Sequence, residues 1–133
     1  MHPLFSRANT LSNRVIGAAI EVHREIGPGL MESIYEWCLV CELQSMELPV
    51  ACERTVRVRY KGFLREELLR FDVLVDGCLL IETKAVETVL PIHKAQLLSY
   101  MKLLNLPVGL LVNFNVSRLS EGISRVILKN ADR

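Results

Sequence analysis

At 133 residues the chain is long enough to form one domain with a substantial core, and half of its residues are hydrophobic, which excludes intrinsic disorder. The net charge of +1 gives no general affinity for nucleic acid, so any such binding must come from a local basic patch. No apolar run approaches the ~18 residues of a membrane span, and residues 1–10 lack a signal-peptide core, so we expect a single cytoplasmic domain over residues 1–133 without a membrane partner.

The first predicted element is a helix that begins at a cap from Thr10 or Ser12 and ends at Ile26, before Gly27 and a proline. Apolar residues lie on two of its sides, so we expect the helix to be packed between two layers. His23 lies on the second apolar side and is interpreted as a hydrogen-bonded packing residue, with a place in a functional cleft as the alternative.

A second helix is predicted over residues 30–46, after Gly29 lets the chain turn tightly. Glu32 lies in its first turn, where the helix dipole favours a carboxylate, and Tyr35 shares its face. From these residues alone, Glu32 is interpreted as a capping acid and Tyr35 as a packing residue.

The cysteines have apolar neighbours along the sequence, which predicts buried free thiols rather than a metal site. The two nearest ones form a CxxC pattern inside the second helix, with no second CxxC and no histidine nearby. The four residues are Cys38, Cys41, Cys52 and Cys78.

Two strands are predicted next. Residues Thr55–Tyr60 alternate between apolar and polar, which predicts one buried face and one face carrying Arg57 and Arg59. Lys61-Gly62 turns the chain into a strand over about Leu64–Val75. These strands form the most basic segment of the chain. Its charges suit phosphate contacts, but acidic residues are interleaved, so an ordinary solvated face is the first interpretation.

Asp76-Gly77 separates two apolar runs and predicts a β-hairpin, because both residues tolerate the positive φ of a tight turn. Alternation places Glu82 and Lys84 on one face of its second strand. A two-residue loop would leave Asp72 on the other face. A three-residue loop or a bulge would instead place Asp72 opposite Glu82.

Two carboxylates at one point repel each other and are stable mainly around a cation, which for oxygen ligands is Mg²⁺ or Mn²⁺. Lys84 beside Asp72 and Glu82 could position a water or offset charge on a phosphate. From the spacing alone, however, a surface ion-pair cluster on an edge hairpin is the simpler interpretation.

One helix and two strands complete the prediction. The helix begins near Pro91, and His93, Gln96 and Tyr100 form a polar stripe on it. Val108–Phe114 is almost entirely apolar, which predicts a strand buried on both faces and parallel to a neighbour. A last strand is predicted over Ile123–Leu128.

These motifs, in this order, resemble the PD-(D/E)XK nuclease superfamily. Asp72 with Glu82-Thr83-Lys84 is similar to its catalytic signature, with Phe71 in place of the usual proline. Residues 29–35 match the motif of its small GxxExxY family letter for letter. Residues 96–100 match the QxxxY motif that follows the signature in one branch.

The resemblance covers about residues 13–128 and implies an α/β domain with the restriction-endonuclease-like αβββαβ core, a mixed sheet flanked by helices. It implies a nuclease that uses Mg²⁺ or Mn²⁺ to hydrolyse phosphodiester bonds in nucleic acid, and we expect DNA as the substrate in preference to RNA. The implied metal ligands are Asp72, Glu82 and the backbone carbonyl of Thr83, with Glu32 as a further candidate. Lys84 would position the attacking water, and the cleft would be lined by Glu32, Gln96 and Tyr100. No cysteine follows Cys78, so no iron–sulfur cluster is expected.

Two other classes of function stay open from the sequence. The same fold could serve as a non-catalytic nucleic-acid- or protein-binding module, or as a subunit of a larger assembly. Small size and near-neutral charge favour these alternatives, because little surface remains to hold a duplex. A homodimer could supply that surface. Metal affinity would separate the nuclease from both alternatives.

Overall fold

The computed structural model describes residues 1–133 as three helices and five strands. The helices are α1 (Phe5–Ile26), α2 (Glu32–Ser45) and α3 (Pro91–Leu104), and the strands are β1 (Val50–Tyr60), β2 (Phe63–Val75), β3 (Leu79–Lys84), β4 (Val108–Asn113) and β5 (Ile123–Ile127). A short 3₁₀ turn precedes β5. None of the helices has the length and hydrophobicity needed to cross a bilayer.

All five strands belong to one mixed sheet, in the order β1-β2-β3-β4-β5. Neighbouring strands are antiparallel except β3 and β4, which are parallel because α3 carries the chain back across the sheet. Every residue of β4 is buried. The predicted α/β class, the αβββαβ order and the doubly buried parallel strand are therefore confirmed.

The sheet separates two layers of helix. Leu79 and Ile81 of β3 pack into the larger core with α1 and α2, whereas Leu80 between them packs with Leu97 and Met101 of α3. This alternation is the period-two geometry of a strand covered on both faces. The polar residues Glu82, Thr83 and Lys84 follow at the end of β3, where the strand reaches the edge of both helix layers.

The first helix starts earlier than predicted. It begins at Phe5, so the expected cap at Thr10 or Ser12 is wrong. Ala8 is fully buried in the helix, and packing of these first turns on the core outweighs the local capping preference. The Ser12 hydroxyl instead donates a hydrogen bond to the Asn9 carbonyl within the helix.

The prediction for the cysteines is right for one residue and wrong for two. Cys78 is buried and Cys38 half-buried, but Cys41 and Cys52 are exposed. Cys41 lies two residues away from the buried stripe of α2 and therefore on its outer side. Cys52 lies on β1, the edge strand, where no further strand covers it.

Candidate active site

The loop between β2 and β3 decides whether the two acidic residues can meet. Val75 pairs with Leu79 and Val73 pairs with Ile81, so the loop has three residues, with Asp76 and Gly77 both at positive φ. The same register continued by one residue brings Asp72 opposite Glu82. Of the two predicted registers, the three-residue loop is confirmed.

A second irregularity lies on the other side of Asp72. Between β1 and β2 the pairing shifts, so that Cys52 alone faces three residues of β2, 71–73. This bulge removes Asp72 from the β1 ladder and re-aims its side chain, as bulges beside functional sites commonly do. Asp72 Oδ2 then accepts hydrogen bonds from the backbone N–H of Thr83 at 2.8 Å and from its hydroxyl at 2.9 Å. The sequence prediction assigned only the carbonyl of Thr83 to the site and missed this hydroxyl.

Glu82 is the most constrained acid of the group. Its residue is only 6% exposed, and its Oε2 is buried without a hydrogen-bond partner. Burial, the neighbouring carboxylate of Asp72 and the charge of Glu32 together raise the pKa of Glu82 to about 7, although the charge of Lys84 lowers it. Buried polar atoms normally have a hydrogen-bond partner, so this unpartnered oxygen is a candidate ligand for a cation.

Lys84 and Glu32 connect β3 to the first residue of α2. The Lys84 ammonium lies 3.8 Å from Glu32 Oε1, with 14% of the Lys84 side chain exposed against 42% for Glu32. Glu32 therefore does more than occupy a favourable helix position: it lies against the lysine at the rim of the acidic group. This contact places the lysine ammonium between β3 and the start of α2.

Tyr35 has the packing role that its residue type predicted. The side chain is fully buried and stacks on Phe114 with ring centroids 4.5 Å apart. Its hydroxyl donates to the Gly27 carbonyl at 2.6 Å and accepts from the Leu30 N–H at 3.1 Å. Tyr35 thus ties down the loop that leads into α2 and sets the position of Glu32. 

His23 also packs as predicted. Its Nε2 donates to the Val116 carbonyl at 2.8 Å. This bond joins α1 to the segment after β4, and the interpretation as a hydrogen-bonded packing residue is confirmed.

Glu36 is a member of the acidic group that the sequence prediction missed. Burial raises the pKa of Glu36, and the charges of Asp72 and Glu32 raise it further. Glu36 and Asp72 line one cavity of about 290 Å³ between α2 and β1. The signal that could have found it is its spacing, because Glu36 follows Glu32 by one helical turn and shares its face.

Asn113, at the end of β4, was also missed. It is 3% exposed, accepts a hydrogen bond from the Val86 N–H at 3.0 Å and donates one to the Val86 carbonyl at 2.9 Å. The neighbouring Phe114 N–H donates to the Lys84 carbonyl. Both contacts hold the chain directly after Lys84. A lone amide at the end of an apolar strand was the available signal, since a buried polar side chain requires partners.

Two predicted cleft residues lie on α3 and form no hydrogen bond with this group. Gln96 is exposed on α3, and Tyr100 packs against the core on that side of the sheet. Neither forms a hydrogen bond with Asp72, Glu82 or Lys84. His93 of the same stripe accepts the Leu90 N–H and closes the first turn of α3.

The donor set suits a hard cation, although no three His, Cys, Asp or Glu side chains form a ready-made metal cage. Asp72 and Glu82 supply carboxylate oxygens only, and one oxygen of Glu82 has no partner. Oxygen donors of this kind fit Mg²⁺ or Mn²⁺, which keep part of their shell as water and need few protein ligands.

A family model described as the PD-(D/E)XK nuclease superfamily matches residues 9–126. Comparisons with curated proteins and with solved structures gave no match. The matched segment runs from the second turn of α1 to the last residues of β5 and contains all the acidic residues described above.

Proposed function

Because the chain belongs to the PD-(D/E)XK nuclease superfamily, we propose that it is a divalent-metal-dependent nuclease that hydrolyses phosphodiester bonds in nucleic acid. The observation that carries the proposal is the buried, unpartnered carboxylate oxygen of Glu82 beside Asp72. Nothing in packing favours two carboxylates together at the rim of a core, since each raises the energy of the other's charge. A cation between them removes that repulsion.

In this proposal Mg²⁺ or Mn²⁺ is held by Asp72, Glu82 and the backbone carbonyl of Thr83. The cation supplies Lewis-acid stabilisation of the phosphate oxygens and a more acidic water. The Thr83 hydroxyl and N–H orient Asp72 through Oδ2, leaving its other oxygen for the cation. Glu36, which lines the same cavity as Asp72, adds a further carboxylate near the cation.

Lys84 carries the positive charge that the reaction needs next to the acids. Its ammonium would orient the attacking water and offset the charge that develops on the phosphate. The Glu32 carboxylate, 3.8 Å away, positions the ammonium. Gln96, exposed on α3, is proposed to contact the nucleic acid rather than the cation, together with Tyr100 one turn further along the helix. DNA is the first substrate to test and RNA the second.

The test is calorimetric titration of Mn²⁺ and Mg²⁺ into the wild type and into Asp72→Asn and Glu82→Gln, followed by cleavage of labelled DNA and RNA. Glu121→Gln is the matched control, because Glu121 is an exposed acid at the opposite edge of the sheet. We expect binding and cleavage by the wild type and the control, and neither by the two site variants.

A folded wild type that binds no cation, with or without nucleic acid, and cuts neither substrate would refute the nuclease. The fold would then be serving as a binding module or an assembly subunit. Cation binding that survives both site substitutions would move the metal away from Asp72 and Glu82.

A further inference from the structure

Beyond the sheet, β1 and β2 continue as a two-stranded arm. The pairing of β2 with β3 spans only Val73–Val75, whereas its pairing with β1 runs out to Phe63. Residues 63–68 of β2 are all exposed, so neither face of β2 is covered there, although Val58 of the partner strand is half-buried. We define the β1–β2 arm as residues 57–68.

The tip of the arm presents aromatic surface to solvent. Tyr60 and Phe63 pair across the end of the hairpin and are 65% and 76% exposed. The Lys61 ammonium lies 5.4 Å from the centre of the Tyr60 ring, which is cation–π range. Because these rings contribute little burial to the fold, their exposure indicates a surface that is used for contact.

The charge of the arm is more positive than that of the whole chain. It carries four basic and two acidic residues, a net charge of +2, so the rest of the chain carries −1. Both acids are already paired: Glu66 with Arg57 at 3.8 Å and Glu67 with Arg65 at 2.8 Å. The two cations nearest the tip, Arg59 and Lys61, have no acidic partner.

The length of the arm sets its reach from the acidic site. Asp72 is nine residue steps from Phe63 along β2, and a strand rises about 3.3 Å per residue, so the tip lies roughly 30 Å from Asp72. That distance corresponds to about nine base pairs of duplex at ~3.4 Å each.

We propose that the β1–β2 arm binds the double helix of the substrate about nine base pairs from the phosphate held at Asp72 and Glu82. Arg59 and Lys61 contact the phosphate backbone, and the paired rings at the tip pack against the groove, which admits a two-stranded β ribbon. This rests on the proposed nuclease function and supplies the duplex-holding surface that a chain of this small net charge otherwise lacks. A second copy of the chain fits the arm less well, because a two-fold contact would bring the unpaired cations of both arms together.

The experiment is fluorescence anisotropy in EDTA, so that binding is measured without hydrolysis and can fail or succeed independently of the nuclease. The probes are labelled duplexes of about 30 and about 8 base pairs and a single strand of about 30 nucleotides. Only the longer duplex can reach both the acidic site and the tip of the β1–β2 arm. The variants are Arg59→Ala/Lys61→Ala and Phe63→Ala. The matched control, Arg118→Ala/Lys129→Ala, removes the same two charges from exposed positions elsewhere.

We expect Arg59→Ala/Lys61→Ala to bind the long duplex about tenfold or more weakly, and its log–log salt slope to fall by about 1.8, the value for two phosphate contacts. Phe63→Ala should weaken the same complex without changing the slope. The wild type should bind the short duplex more weakly than the long one, and the control variant should show little change with either.

Arm variants that bind the long duplex as tightly as the wild type would overturn the proposal. So would an equal loss of duplex affinity in the control variant, or a loss of affinity for the single strand only. A wild type that binds no duplex overturns it as well. If sedimentation instead showed a wild-type dimer that becomes monomeric in the arm variants, with duplex binding unchanged, the arm would be a contact between copies. All of these substitutions are at exposed side chains, so folding should be unaffected.

Discussion

Replacing Glu82 by glutamine is expected to stabilise the metal-free protein at neutral pH, although Glu82 lies in the proposed active site. The residue is 6% exposed, one of its carboxylate oxygens has no partner, and burial together with the charge of Asp72 raises its pKa from 4.5 to about 7. Glutamine keeps the shape and removes the charge, and its amide can donate a hydrogen bond to the Asp72 carboxylate.

The magnitude follows from the pKa of Glu82. One pKa unit corresponds to 1.36 kcal/mol, so ionising this side chain costs the folded state about 3 kcal/mol. The penalty is absent below the unfolded pKa of 4.5, grows as pH rises toward 7, and is complete above it, because the folded state holds the proton that the unfolded state has lost. Wild-type stability should therefore fall across this window relative to Glu82→Gln, by an amount equal to about 10 °C in Tm for a domain of this size.

The assay is urea unfolding in EDTA at a series of pH values from about 4 to about 8.5, which brackets the window. Glu121→Gln serves as the control, since an exposed acid should change stability by less than about 0.5 kcal/mol. Adding Mg²⁺ at ten times its Kd should stabilise the wild type by about 1.4 kcal/mol and leave Glu82→Gln unchanged. If Glu82→Gln were no more stable than the wild type near pH 8, or kept its full advantage near pH 4, the charge-crowding argument would be wrong.

Three further substitutions test the scaffold around the site. Tyr35→Phe removes the hydrogen bonds to the Gly27 carbonyl and from the Leu30 N–H but keeps the ring stack, and should cost about 1–2 kcal/mol in urea unfolding. Gly122→Ala would place a Cβ 2.0 Å from the Asn113 carbonyl oxygen, a backbone atom that cannot rotate away, and should lower stability by about 1–3 kcal/mol or more in thermal unfolding. Asn113→Ala removes both hydrogen bonds to Val86 and should slow cleavage more than it weakens Mg²⁺ binding, which kinetics and calorimetry on the same variant would separate.

Much of the site could be predicted from local pattern. The positions of Glu82 and Lys84 follow from alternation along one strand, and the possible meeting of Asp72 with Glu82 follows from counting residues in the hairpin loop. Local pattern could not choose between the two registers, because loop length and strand pairing are decided by which side chains the core buries. The structure chose the register that buries Val73 and Ile81 together.

Glu36 and Asn113 show where pattern alone was insufficient. Each looks like an ordinary polar residue in sequence: one is a helix acid and the other follows an apolar strand. Their importance comes from partners distant in the chain, Asp72 for Glu36 and Val86 for Asn113. Spacing could place Glu36 on the same helix face as Glu32, but its burial and its neighbouring charges are properties of the packed chain.

Hydrophobic period and turn chemistry act over a few residues, so local sequence is enough to predict the order of helices and strands, the hairpin at Asp76-Gly77 and the acid–lysine pair on β3. Packing between distant segments sets the start of α1, the bulge beside Asp72, the exposure of Cys41 and the projection of the β1–β2 arm. Each of these depends on whether another element covers the residue. Coverage depends on how segments that are far apart in the chain pack around the same core, which local sequence does not specify.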